Sequence, residues 1–193
     1  MRDSDVRTAV RQMLQNRHEG DNQTRIVEEM GIWSGSVRID VATINGEIHG
    51  FELKSASDTL DRLQAQAELY SQVFDRVTLV TAERHICAAT QKVPDWWGVV
   101  LAYMSQRGDV ELREIAPSGR NQKVIPLQLA RLLWRTEALA ILTKHGFDRG
   151  VRTRSVEIIA QRLADSLSLE QLGTEVRNIL KHREGWLGQP ISN

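Results

Sequence analysis

Apolar and polar positions along the chain fall into distinct periods. Val6, Val10, Met13 and Leu14 recur at helical spacing, which predicts a helix over 4–16 with Ser4 or Asp3 as its cap. Gly20, Asp21 and Asn22 interrupt that pattern. Residues 24–30, carrying Ile26 and Val27, read as a short strand, and 31–35 as a turn. From Val37 the period changes to two: Val37, Ile39 and Val41 share one face, and Arg38, Asp40 and Ala42 the other. Asn45-Gly46 predicts a two-residue hairpin turn, and 47–54 the returning strand. A helix is expected over 58–73, capped by Asp58 or Thr59, with Leu60, Leu63, Ala67 and Tyr70 on its inner face. The apolar run Val77–Thr81 predicts a strand buried on both faces.

Beyond Pro94, residues 98–104 and 110–115 predict a second strand pair. The remainder reads as helical: 127–145 as one long helix stopped by Gly146, then 155–166 and 169–182 as a pair in which Ser168 and Gln171 have capping-box spacing. The last residues, GQPISN, read as a loose tail. This order predicts an α/β chain, a mixed β-sheet flanked by helices, with an α-helical C-terminal extension. The division expected is 1–117 for the α/β core and 118–193 for the extension packed on it.

The polar residues hardest to explain as packing lie in the hairpin. Asp40 interrupts an apolar strand, and Glu52 and Lys54, two apart, share a face of the next one. A strict two-residue loop would set Asp40 opposite Phe51 and turn Glu52 away, so convergence requires a bulge or a longer loop. Given that, two carboxylates and a lysine meet. Charges in such a place must be paired or bound to a metal. Two carboxylates and the backbone carbonyl of Leu53 suit Mg²⁺, with Mn²⁺ as a substitute. Such an ion would activate water, Lys54 would support the attacking water, and Glu29 would add an oxygen. Glu28 is the alternative upstream acid. The competing explanation is a cross-strand salt bridge on an exposed sheet face.

The series Asp40-x11-Glu52-x-Lys54 resembles the signature of the PD-(D/E)XK nuclease superfamily, with Ile39 in place of the proline. Gln66 and Tyr70 are similar to the Gln-x3-Tyr motif of RecB-type members, and Gly35 to a glycine of that branch. The resemblance implies a restriction-endonuclease-like fold and a Mg²⁺-dependent deoxyribonuclease that hydrolyses phosphodiester bonds. Asp40, Glu52 and Glu29 would be metal ligands and Lys54 the catalytic lysine. Gln66 and Tyr70 would support the site or contact DNA. A homodimer or a larger nuclease complex is compatible with it. The alternative from another class is a non-catalytic DNA- or partner-binding protein on the same fold.

Other candidates read as structural. His49 has the opposite parity to Glu52, the five histidines show no metal-ligand spacing, and Cys87 reads as a small buried thiol. Trp134 falls in a core context among leucines, and Trp96, Trp97 and Trp186 read as packing before base stacking.

The chain has 193 residues, 25 basic and 25 acidic. Its single cysteine points to a reducing compartment. With no apolar run near the ~18 residues that span a bilayer, and a charged N-terminus unlike a secretory signal, the expected place is the cytoplasm, without membrane contact. Net neutrality at first argues against a nucleic-acid partner. It conceals an asymmetry: 11 basic and 15 acidic residues through Asp95, then 14 basic and 10 acidic, or −4 followed by +4. Lys144, Arg149, Arg152 and Arg154 cluster against one acid, Asp148, and form the expected DNA-phosphate contact.

Overall fold

The structure, a computed structural model, describes residues 1–33 and 37–184. Gly35, Trp186 and the GQPISN tail lie outside the described residues. Helix α1 (Asp3–Arg17) is followed by β1 (Arg25–Ile32), β2 (Val37–Ile44) and β3 (Ile48–Lys54). Then come α2 (Leu63–Tyr70), β4 (Arg76–Ala82), a 3-10 turn at Glu83–His85 and α3 (Ile86–Thr90). Strands β5 (Gly98–Met104) and β6 (Val110–Ala116) precede four helices: α4 (Pro126–Ala130), α5 (Arg135–Lys144), α6 (Val156–Ser166) and α7 (Leu169–His182).

The six strands form one mixed sheet in sequence order. β1, β2 and β3 are antiparallel; β4 lies parallel to β3, and β5 parallel to β4; β6 returns antiparallel. Parallel neighbours need a crossover, and the segments carrying α2 and α3 supply the two. The protein is therefore α/β, a six-stranded mixed sheet flanked by helices, as the alternation of periods predicts.

Each sheet face has its own apolar cluster. Val6, Val10 and Leu14 of α1 are fully buried against Val41, Phe51, Leu53, Val80 and Val100. The other face joins Ile44, Ile48, Val77 and Leu79 to Tyr70 and Phe74, and to Leu163, Leu172 and Val176 of the later helices. Burial of these side chains, each worth roughly 1.5–3 kcal/mol, fixes which edge of each strand faces which helix. Gly50 is required by this packing: an added Cβ would stand 2.6 Å from Ile39 Cδ1 and 3.3 Å from the Phe74 ring.

Several local expectations are corrected. The hairpin register Ile44↔Ile48 leaves three residues in the turn, not two. Asn45 closes it, its N–H donating to the Glu47 carbonyl and its Oδ1 accepting from the Glu47 N–H, both at 3.1 Å. Ile39 and Val41 do not share a face: Ile39 packs with the helix-rich cluster and Val41 against α1. α2 starts later than expected because Asp58 does not cap it; its Oδ2 accepts the Ser55 N–H at 2.7 Å and closes a turn after β3. The long helix over 127–145 is two helices. The chain turns at 131–134 to bury Leu132 and Leu133, and Trp134 is extended (ψ 156°) with its N–H held by Glu137 at 2.7 Å. Trp134 is 49% exposed and lies under the Arg183 guanidinium, 4.5 Å from its ring centroid, so it is no core residue. Cys87 is exposed, not buried. The sequence pattern gave no sign of α3, whose five residues are too short to show a period.

The later helices are bound to the sheet by polar contacts as well as by packing. Asn121 Nδ2 donates to the carbonyls of Ser71 (2.7 Å) and Phe74 (2.8 Å). Arg25 at the start of β1 donates to the carbonyls of Lys181 (3.0 Å) and Arg183 (2.5 Å), completing the C-terminal turn of α7. Ser168 accepts from the Gln171 N–H at 3.2 Å, the capping box its spacing predicts. Among the described residues, no helix is long and apolar enough to cross a membrane.

Candidate functional site

The three-residue turn decides the geometry of the site. It pairs Val41 with Phe51, so Asp40 arrives beside Glu52 and not opposite Phe51. Asp40 Oδ2 accepts the Leu53 N–H across the two strands at 2.8 Å. The parity of Glu52 and Lys54 holds: Lys54 Nζ lies 2.5 Å from Glu52 Oε1, both side chains being almost wholly buried. Lys54 also donates to Gln66 Oε1 at 3.1 Å. The Tyr70 hydroxyl lies 2.6 Å from the Arg38 carbonyl and 2.9 Å from Glu52 Oε2. Gln66 Nε2 donates to the Tyr70 oxygen at 3.4 Å. Gln66 and Tyr70 reach the site because they stand one turn apart on one face of α2. The group forms the floor of a cleft of about 580 Å³, with Arg38, Asp58 and Arg62 at its sides.

The β1–β2 ladder is interrupted here. Glu28↔Val41 and Met30↔Ile39 are paired, while Glu29 and Asp40 between them are not. Glu29 adopts φ +51°, a conformation costing of order 1–3 kcal/mol for a residue with a side chain. The distortion brings its carboxylate to Arg7 of α1, 2.8 Å from Nη1. Arg7 also donates to the Asp40 carbonyl at 3.0 Å and to Asp40 Oδ1 at 3.1 Å, and pairs with Asp3 at 3.3 Å. Glu28, by contrast, pairs with Arg11 at 3.7 Å.

Burial raises the pKa of Glu52 to about 7, and the Asp40 charge adds to the shift, while Lys54 and Tyr70 oppose it. Burial also raises Asp40, against the pull of the Leu53 N–H and Arg7. Tyr70 is held strongly in its neutral form by burial and by Glu52. With a single proton, its hydroxyl donates to one oxygen at a time, the Arg38 carbonyl or Glu52 Oε2. His49 is structural: Nε2 lies 2.9 Å from Thr78 Oγ1, its ring stacks on Phe51, and burial lowers its pKa to about 3.

All four carboxylate oxygens of Asp40 and Glu52 already have protein partners. Among the described residues, no three His, Cys, Asp or Glu side chains are arranged to hold a metal ion. A divalent cation at Asp40 would share its carboxylate with the Arg7 guanidinium, 3.1 Å away. Arg7 was invisible to motif reasoning. On α1 it signals only an i,i+4 partner for Asp3, and its contact with Asp40 crosses 33 positions.

The expected phosphate-contact residues are unequally committed. Lys144 is paired with Glu175 at 2.7 Å and Arg152 with Asp148 at 2.5 Å. The side chains of Arg149 and Arg154 are exposed and make no hydrogen bond or ion pair among the described residues. Arg135 braces the segment by donating to the carbonyls of Arg152 and Arg154.

The family model described as Bacteriophage P4 protein cII matches residues 1–186. Protein cII of Enterobacteria phage P4 is 26% identical over 180 residues, which cover 92% of this chain and 67% of that protein. Among solved structures, SfsA of Pyrococcus furiosus in complex with Ca²⁺ is similar over 58% of this chain and 61% of its own, at 15% identity and a TM-score of 0.33. The family match and the phage relative both point to cII proteins and not to PD-(D/E)XK nucleases, which corrects the expected superfamily. The expectation of a Mg²⁺-dependent deoxyribonuclease, a phosphodiester hydrolase, is corrected with it. In physical terms, a two-strand Asp-Glu-Lys pattern specifies only that charges converge. Here a guanidinium from α1 joins them and supplies the counter-charge.

Proposed function

The chain belongs to the Bacteriophage P4 protein cII family, and on that premise we propose that it is a non-catalytic regulatory protein that binds DNA. The observation that carries the non-catalytic part is the Arg7 clamp across Asp40 and Glu29. The acids of the cleft are neutralised from within by Arg7 and Lys54, and the group joins α1, β1, β2, β3 and α2 into one unit. On this reading the sheet is a restriction-endonuclease-like arrangement used for binding, with 118–193 as the extension that contacts DNA. Mg²⁺ is then no resident cofactor of the cleft.

DNA engagement is assigned to the segment between α5 and α6. Arg149 and Arg154 there are exposed cations with no hydrogen-bond or ion-pair partner among the described residues, and phosphate contacts of this kind position a protein on a duplex without reading sequence. The excess of 14 basic over 10 acidic residues after Asp95 favours the same side of the chain. Fluorescence anisotropy of labelled duplex DNA across a salt series tests this. Arg149→Ala and Arg154→Ala should each weaken binding and lower the salt slope by about 1. An unchanged slope in both variants would remove this segment from the interface.

A further inference from the structure

The sheet has two edges, and they are treated differently. β1 is tied at both ends to the later helices: Arg25 to the end of α7, and Trp33 Nε1 to the Gln128 carbonyl at 3.3 Å, just past the end of the strand. β6 bonds to β5 on one side, and no strand among the described residues pairs with its other side. Glu111, Arg113, Glu114 and Ile115 are exposed, whereas Val110 and Leu112 are half-buried and pack with the α1-side cluster. An open edge of seven residues without proline is a template for another strand.

We infer that β6 pairs antiparallel with β6 of a second copy of this chain. Its own sequence, VELREIA, argues for that occupant. A two-fold axis that keeps the half-buried apolar face continuous must pass through a residue, because side chains alternate along a strand. Centred on Glu111, Arg113 or Glu114, it would set like charges directly opposite one another, which is destabilising. Centred on Leu112 it sets Leu112 against Leu112 and Val110 against Glu114. Glu111 then faces the second copy's Arg113 on the solvent face, and Arg113 faces its Glu111. Of these four registers only this one matches opposite charges. Within one chain Arg113 has no hydrogen bond or ion pair among the described residues, so it is available for the contact. The inference is independent of the DNA-binding reading.

Sedimentation velocity of the full chain over a concentration series tests it. The wild type should show a reversible monomer–dimer equilibrium. Glu111→Arg and Arg113→Glu each replace two opposite-charge pairs by two like-charge pairs, and should raise the dissociation constant by about tenfold or more. The exchanged double variant E111R/R113E recreates both pairs and should recover the wild-type constant. Arg113→Glu breaks no side-chain bond among the described residues, so its far-UV circular dichroism should match the wild type; Glu111 carries a 2.7 Å bond from the Tyr103 hydroxyl and is the less clean probe. A wild type that stays monomeric at about 1 mM, a dimer indifferent to both reversals, or a double variant that is not restored, would each overturn the inference.

Discussion

Arg7 and Asp40 stand 33 positions apart, and the guanidinium of the first holds both the carboxylate and the main-chain carbonyl of the second. That contact fixes α1 over the point where the β1–β2 ladder opens, and it gives Glu29 its counter-charge as well. Replacing Arg7 by Ala takes this cation from three carboxylates, Asp3, Glu29 and Asp40. All three are partly exposed and recover some hydration, so the expected loss is about 1–3 kcal/mol, less than for a fully buried pair. Arg11→Ala, whose contact with Glu28 is 3.7 Å, should cost under about 0.5 kcal/mol. Urea titration of the two variants checks the difference; equal stabilities would remove the structural role of the clamp.

The raised pKa of Glu52 makes stability depend on pH. The folded protein keeps this proton up to about pH 7, whereas the unfolded chain releases it near the ordinary value of 4.5. Within that window the folded state binds more protons, so the contribution is complete below pH 4.5, falls as pH rises, and is gone above 7. The total is about 3 kcal/mol at most. Glu52→Gln should remove this part of the slope, as chemical denaturation at pH 4.5, 6 and 7.5 would show. A variant with the wild-type slope would place the titration elsewhere.

The Tyr70 hydroxyl lies within hydrogen-bond distance of both the Arg38 carbonyl of β2 and the Glu52 carboxyl. Tyr70→Phe preserves the packing against Phe74 and Trp97 and removes the hydroxyl. The one hydrogen bond that the hydroxyl donates, to the part-buried Arg38 carbonyl or to the buried Glu52 carboxyl, is then lost, with an expected cost of about 1–3 kcal/mol. Thermal or urea unfolding measures it, and a neutral substitution would mean that water replaces the hydroxyl in that contact.

With Arg7 as counter-charge, divalent cations gain little at this cleft. Calorimetry should give the same weak heats for Mg²⁺ with the wild type and with Asp40→Asn, with no site tighter than about 1 mM. A stoichiometric Mg²⁺ site lost in Asp40→Asn would show that the cation displaces the guanidinium.

Much of the sheet and the convergence of Asp40, Glu52 and Lys54 were legible in the sequence, for a physical reason. Strand parity is a local rule, and Asn45-Gly46 announces the turn; only the third loop residue, Glu47, had to be added for Asp40 to meet Glu52. What local rules could not supply was the partner arriving from far along the chain. Arg7 looks like one member of an exposed helical pair with Asp3 until the fold sets it on Asp40. Trp134 departs from its expected core position for a similar reason. Its leucine neighbours suggested one continuous helix, but burying Leu132 and Leu133 bends the chain there and leaves the indole to Arg183. The Asp40, Glu52 and Lys54 pattern resembles a nuclease motif for the same reason, since it carries no trace of the guanidinium that the fold brings to it.

One measurement bears on the central claim most directly. Labelled single- and double-stranded DNA is incubated with the wild type and with Lys54→Ala, in Mg²⁺ and in Mn²⁺, and each mixture is run on both native and denaturing gels. A non-catalytic DNA-binding protein gives a retarded complex on the native gel and strands of unchanged length, at background, on the denaturing gel, for both proteins. Metal-dependent shortening by the wild type that is lost in Lys54→Ala would contradict the non-catalytic reading.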